Sequence, residues 1–325
     1  MTIAVDRQVE VFRENFRVVR DEVSRIIVGN EDNIVGIMTC LLARGHVLLE
    51  GIPGIGKTKL VQTLADVLHL KFSRIQFTPD LMPGDIIGTT VVRETDTGRK
   101  FMEFQPGPVF ANLVLADEIN RATPKTQSSL LEVMDRGKVT VDGAAHAVGV
   151  PFMVVATQNP VDYEGTFPLP ESQMDRFLMR LQMGYPEAAD ELEILRTPRL
   201  GYDAITLNPV ATRTDVIKLQ QLTGRVFVED SVLEYVLKIV GATRLAAEFK
   251  AGVSVRGGLS LRLAAQAHAL VRGRDFVIPQ DVQEVAGPVL AHRLALARQT
   301  SDALEERRTV LASLRRIIAS VPVPE

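Results

Sequence analysis

The chain has 325 residues, 46% of them hydrophobic, with 37 Lys and Arg against 40 Asp and Glu, for a formal net charge of −3. That length suggests two domains and the apolar fraction suffices for a sizeable core, while the slightly acidic balance excludes a global positive field that would draw in nucleic acid. A single cysteine, Cys40, excludes an internal disulfide framework, and the five histidines are scattered without metal-ligand spacing.

At the N-terminus, Asp6, Arg7, Glu10, Arg13 and Glu14 interrupt the apolar residues, unlike the basic start and apolar core of a signal peptide. No apolar run is long enough to span a bilayer, because Arg44, His46 and Glu50 break the best candidate, so the expectation is a soluble cytoplasmic protein. Val9, Phe12, Phe16, Val19, Val23 and Ile26 recur at three- and four-residue steps and predict an amphipathic helix that packs on the domain that follows. Ile27-Val28-Gly29 ends it. The turn at Val28 and Gly29 is a candidate adenine pocket, with an ordinary helix cap as the other reading. A second helix is expected over 32–43, and Cys40 within it reads as a buried structural thiol.

Next comes an apolar strand at 45–50, then Gly51-Ile-Pro-Gly-Ile-Gly-Lys-Thr58, then a helical pattern to 68. The eight residues fit the phosphate-loop pattern G-x-x-x-x-G-K-[ST] in its required strand-to-helix setting. Its glycines let successive backbone N–H groups turn toward phosphates, and the helix N-terminus adds partial positive charge. Lys57 is the candidate ligand of the β- and γ-phosphates, and Thr58 of Mg²⁺. Gly51, Pro53, Gly54, Ile55, Gly56, Lys57, Thr58 and Lys59 form the candidate nucleotide-binding segment.

An alternating strand over 72–77 is followed by a predicted β-hairpin at 89–104, turning at Thr95-Asp-Thr-Gly98. The apolar strand 112–118 then ends in Asp117 and Glu118. About sixty residues after a phosphate loop, such a pair reads as a Mg²⁺ ligand, Asp117, and the group that activates the attacking water, Glu118. A helix is predicted over 124–136, with Pro124 at its start and Gly137 past its end, and a second hairpin turns at Asp142-Gly143. The strand 150–157 leads to Asn159, a polar amide at a strand's carboxyl end that could hold the attacking water.

Taken together and in order, the phosphate loop, Ala116-Asp-Glu-Ile-Asn-Arg121, Ala156-Thr-Gln-Asn-Pro160 and Leu169-Pro-Glu-Ser-Gln-Met-Asp-Arg-Phe177 resemble the MoxR family of AAA+ ATPases. The resemblance runs from about Ile26 into the C-terminal region. It implies an α/β fold, the AAA+ P-loop NTPase core with a parallel sheet and inserted β-hairpins, over 1–205, and an all-α lid over 206–325. It makes Asn159 the sensor-1 residue and Arg176 the arginine finger that reaches a neighbouring subunit's site, with Arg121 as the rival for that role. A salt bridge from Arg176 to Asp175 or Glu171 is its structural alternative. Helices are expected over 187–196, 216–222, 231–246, 258–272 and 280–298, with a charged amphipathic helix over 301–320 that packs on the lid or binds a partner. Gly252-Val-Ser-Val-Arg-Gly257 resembles the sensor-2 segment and makes Arg256 a ligand of the γ-phosphate, with Arg262 as the substitute. Val255 stands where the family has proline, and Gly257-Gly258 weakens the helix start by about 1 kcal/mol per Gly relative to Ala.

The same resemblance implies a Mg²⁺-dependent ATPase working as a homo-oligomer, a hexameric ring. Its chaperone-like action would mature a client protein complex or insert a metal cofactor, with a von Willebrand factor A-domain partner. The two hairpins are similar to the helix-2 insert and pre-sensor-1 hairpin of this clade. A magnesium-chelatase-like motor subunit and a nucleic-acid motor are the alternatives from the same clade. A monomeric nucleotide switch is a third, against which stand the intact acidic pair and the lack of an Asn-Lys-x-Asp guanine motif.

Overall fold

The computed structural model describes residues 16–159, 165–196, 206–298 and 303–324. In chain order, helix α1 (16–24) and helix α2 (Glu31–Leu42) precede strand β1 (Val47–Glu50) and helix α3 (Lys57–Val67). Strand β2 (Phe72–Gln76) and the short helix α4 (Pro83–Ile87) lead into the hairpin of β3 (Gly88–Glu94) and β4 (Lys100–Pro106). Then come β5 (Leu113–Asp117), α5 (Pro124–Arg136), a second hairpin of β6 (Lys138–Val141) and β7 (Ala144–Ala147), and β8 (Met153–Gln158). The single turn α6 (Glu171–Met174), strand β9 (Met179–Gln182) and helix α7 (Ala188–Arg196) complete this part.

Five strands form one sheet in the order β2-β5-β8-β1-β9, with every neighbouring pair parallel. Alternate residues of the central strands enter two separate cores. Leu49, Leu115 and Val155 face a cluster shared with α1, α2 and α3, whereas Leu48, Val114 and Val154 face one shared with α4 and α5. A parallel sheet covered on both faces requires apolar side chains at consecutive positions, which is why these strands read as continuous apolar runs. On α1, Phe16, Val19 and Val23 are buried, as the helical period requires; Val9 and Phe12 lie outside the described residues.

The C-terminal part is built from α8 (Arg213–Thr223), α9 (Asp230–Leu245), α10 (Val255–Val271), α11 (Pro279–Leu290) and α12 (Ala303–Ser320). Its apolar side chains, among them Tyr235, Ile239, Leu261 and Leu270, join the same cluster as α2, so core and helical part share a continuous interior. The helix expected over 280–298 ends at Leu290. A 3-10 turn, Ala291–Arg293, follows, and β11 (Ala295–Leu296) then pairs antiparallel with β10 (Phe249–Ala251). This two-stranded ribbon buries Leu294 and Leu296 through a contact distant in sequence, which a helical period does not display. The terminal helix α12 packs on the lid side, with Val310 and Leu314 buried in the shared cluster.

Candidate functional site

The phosphate loop occupies residues 51–56, between the end of β1 and the first residue of α3. Gly56 has φ +97°, a conformation that favours glycine, and a Cβ on Gly51 would lie 2.7 Å from the Met183 carbonyl oxygen. A Cβ on Gly54 would meet nothing within 4 Å, so the outer side of the loop is open space. Lys57, 9% exposed, folds back so that its Nζ donates to the Gly51 carbonyl. The first turn of α3 holds no acidic residue, so nothing offsets the positive end of the helix dipole there. The loop is thus shaped and charged for an anion of phosphate size.

Beside it, the parallel register sets the acidic pair. Gln76 on β2 is level with Asp117 on β5, and Ala116 with Ala156 on β8, which brings Thr157 next to Asp117. The Thr157 hydroxyl donates to Asp117 Oδ1 at 2.6 Å and accepts the Glu118 backbone N–H at 2.8 Å. That second bond anchors Glu118 with φ 56° and ψ 50°, a left-handed conformation costing about 1–3 kcal/mol in a non-glycine residue. This left-handed residue directly follows the last residue of β5. Asp117 is buried and Glu118 half-buried. Asn159, 7% exposed, follows β8 two residues after Thr157, so the structure brings Asp117, Glu118 and Asn159 to the carboxyl end of the sheet.

Both carboxylates are engaged by residues of β2 that motif reading does not single out. Arg74 donates to Asp117 Oδ2 from Nε at 3.1 Å and from Nη2 at 2.7 Å, and Nη2 also donates to Gln76 Oε1 at 2.7 Å. The Gln76 amide in turn donates to Glu118 Oε2 at 3.0 Å, and the Arg121 guanidinium lies 3.1 Å from the same oxygen. Arg121, the rival finger, is therefore held against Glu118 of its own chain.

The other arginines, Arg176, Arg256 and Arg293, come from different elements that meet around residues 175–177. Arg176 pairs with Asp135 of α5 at 2.5 Å, so its intramolecular partner is neither Asp175 nor Glu171. Arg256 lies in the first turn of α10 and its guanidinium sits 3.4 Å from Asp175, one residue before Arg176. Its side chain is 62% exposed. Arg293, buried, ties the same segment down: Nε donates to Asp175 Oδ1 at 2.8 Å and Nη2 to the Phe177 carbonyl at 2.9 Å. The two glycines after Arg256 do not delay the helix, which begins at Val255 under a Ser254 cap. A Cβ on Gly257 would lie 2.5 Å from Val253, so close packing accounts for that glycine.

At the candidate adenine turn, Val28 is half-buried and Gly29 has φ +69°; a Cβ on Gly29 would meet Asp190 of α7 at 2.4 Å. Cys40 is fully buried and burial pushes its thiol well above the ordinary range, which leaves it inert. No group of three or more His, Cys, Asp and Glu able to hold a metal ion occurs among the described residues. The oxygen groups of the kind a hard cation prefers are the Thr58 hydroxyl and the Asp117 carboxylate, whose Oδ2 accepts here from Arg74. No helix among the described residues is long and apolar enough to cross a membrane.

The chain is similar to known proteins along nearly its whole length. Residues 46–179 match the model of the ATPase family associated with various cellular activities (AAA), and residues 241–314 match the AAA lid domain. The chain is 47% identical over 306 residues to the uncharacterized protein YeaC of Bacillus subtilis (strain 168), covering 94% of this chain and 93% of that one. It is 44% identical over 313 residues to Chaperone MoxR1 of Mycobacterium tuberculosis, covering 94% and 81%, and 30% identical to Protein MoxR of Paracoccus denitrificans, covering 98% and 99%. The crystal structure of a Cytophaga hutchinsonii protein, named only provisionally as an ATPase, superposes with a TM-score of 0.86 at 35% identity, over 100% of this chain and 99% of that one.

Proposed function

The chain belongs to the MoxR family of AAA+ ATPases, and on that premise we propose that it hydrolyses ATP with Mg²⁺ in a cytoplasmic ring, a hexamer, and spends the cycle on remodelling a client protein complex. The observation that carries the reading is the Asp117–Thr157–Glu118 arrangement at the carboxyl end of the sheet, from which the phosphate loop also leaves. Lys57 and the N-terminus of α3 bind the phosphates, while Val28 and Gly29 border the adenine. Thr58 and Asp117 would hold Mg²⁺, and the ion would supply positive charge to the phosphates. Glu118 takes a proton from the attacking water, and Asn159 orients that water.

The remaining charge comes from a neighbouring subunit. Asp175 ties Arg256 to the segment that carries Arg176, so we read the two arginines as one unit presented across a subunit interface. Loss of the γ-phosphate then releases contacts made by residues of two chains, and the helical lid, 206–325, moves relative to the core, 1–205. Maturation or metal loading of the client, with a von Willebrand factor A-domain partner, is the family purpose that this chemistry would drive.

Two substitutions test the site. Lys57→Ala is expected to lose nucleotide binding, and Glu118→Gln to keep binding while turnover falls by about 10²–10⁴-fold. Equilibrium binding of a fluorescent ATP analogue and phosphate release separate the two effects. Turnover by Glu118→Gln at the wild-type rate would remove Glu118 from the chemistry.

A further inference from the structure

The 3-10 turn that follows α11 delivers Arg293 from the helical part to the core segment just before β9. Its side chain is 5% exposed, and each of its five N–H groups finds an acceptor. Nε donates to Asp175 Oδ1 at 2.8 Å, Nη2 to the main-chain carbonyls of Asp175 at 3.3 Å and Phe177 at 2.9 Å, and Nη1 to those of Leu178 at 3.3 Å and of Val289. The main chain is thus held on both sides of Arg176. The stem of Arg293 also packs against α10: a Cβ on Gly257, the residue after Arg256, would lie 3.3 Å from Arg293 Cδ. The same guanidinium sets how Asp175 is shared. Arg293 occupies Oδ1, which leaves Oδ2 to Arg256, 3.4 Å away. Arg256 is 62% exposed, and a side chain of that length otherwise samples many rotamers.

We propose that Arg293 is the positioning residue for the arginines offered to the neighbouring subunit: one buried guanidinium fixes the backbone at Arg176 and, through Asp175, the side chain of Arg256. This rests on the shared-site reading above. A charge delivered across an interface helps only when it is already in place, since a displacement of about 1 Å costs on the order of 10²-fold in rate. An unrestrained Arg256 would have to be ordered anew at every encounter, which weakens the contact it makes. Five bonds from one rigid, planar donor order it in advance. Arg293 belongs to the helical part and Arg176 to the core, so the tie has a mechanical consequence. When the helical part of one subunit shifts, the arginines that its neighbour receives shift with it. Arg293 touches neither the nucleotide nor the attacking water in this account; it acts through Asp175 and the main chain.

The test separates a fault in what a subunit gives from a fault in its own site. Full-length Arg293→Met and Asp175→Asn are compared with wild type for binding of a fluorescent ADP analogue, which has no γ-phosphate and reads the subunit's own phosphate loop, and for ATP turnover. Both are expected to keep the ADP affinity and to lose turnover by about 10²-fold. Each is then co-expressed with Glu118→Gln in a mixture shown to assemble. There the Glu118→Gln subunit gives intact arginines to a neighbour whose own Glu118 is intact, and turnover is expected to return. A general loosening of the variant's own fold is not repaired in that way. Arg176→Ala mixed with Glu118→Gln is the control. If the control recovers while the assembled Arg293→Met mixture stays as inactive as its parents, or if Arg293→Met alone turns over at the wild-type rate, the proposal is overturned and the shared site stands. A control that does not recover overturns both. Asp175→Asn leaves Arg293 its carbonyl acceptors, so its mixture decides the matter where Arg293→Met does not fold.

Discussion

His46 shows at the scale of one side chain how the core constrains chemistry. It sits just before β1, 7% exposed, where Nδ1 accepts the Val154 N–H at 3.0 Å and Nε2–H faces the Met134 carbonyl at 3.2 Å. That geometry admits only the neutral ring, and burial lowers its pKa from about 6.5 to about 4, against a smaller opposing effect of the Met134 bond. The unfolded chain binds the proton first, so stability is fully present above about pH 6.5 and is lost as pH falls toward about 4, by about 3 kcal/mol at the lower end. Urea unfolding midpoints at pH 7.5, 6 and 5 check this: His46→Gln flattens the acid limb relative to wild type, and equal slopes would contradict it. Burial moves His292 in the same direction, so part of the limb survives the substitution. Candidate site residues were legible for a local reason. Gly51 to Thr58, Asp117 and Glu118 belong to contiguous motifs, one between β1 and α3 and the other at the end of β5. Arg74, Gln76 and Thr157 gave no such sign, because their roles come from the register between strands some forty residues apart. Arg293 was absorbed in a helical pattern and acts instead as a buried tie to Asp175.

At the scale of elements, the periods of 3.6 and 2 and the turn residues fixed most boundaries within a residue or two. Helix α5 runs from Pro124 to Arg136 with Gly137 as its cap, and the hairpin of β6 and β7 turns at Asp142-Gly143. What the periods do not carry is how elements meet. The two hairpins touch through Phe104 and His146, whose rings stack with centroids 3.9 Å apart. Glu50, the last residue of β1 before the phosphate loop, is 2% exposed and pairs with Arg180 of β9 at 2.7 Å and with Arg307 of α12 at 3.1 Å. The terminal helix is thus tied by charge to the strand that feeds the loop, a contact between positions 257 residues apart. Glu50→Ala leaves the largely buried Arg180 guanidinium without the carboxylate it donates to, which costs about 3–5 kcal/mol. Chemical denaturation reads that loss; a change under about 1 kcal/mol would mean that the arginine reaches water instead.

For the whole molecule, the sequence pointed to a parallel-sheet core and a helical lid, and both are present in the expected order along the chain. The ribbon of β10 and β11 is the part of the lid it did not suggest, being a pairing across more than forty residues. The central claim concerns more than one chain: the site of one subunit is completed by arginines of the next. Arg256 pairs with Asp175, the residue before Arg176, and Arg176 pairs with Asp135, whereas Asp117, Glu118 and Asn159 lie at the carboxyl ends of strands of the sheet. Subunit complementation tests this most directly. Glu118→Gln and Arg176→Ala are prepared separately and as a co-expressed mixture shown to assemble, and ATP turnover is measured for all three. The account predicts that each parent is nearly inactive, Arg176→Ala by about 10³–10⁵-fold, and that the mixture regains turnover. There an intact Glu118 in one subunit meets an intact Arg176 from its neighbour. A co-assembled mixture as inactive as its parents, or Arg176→Ala active at the wild-type rate, would contradict the shared site.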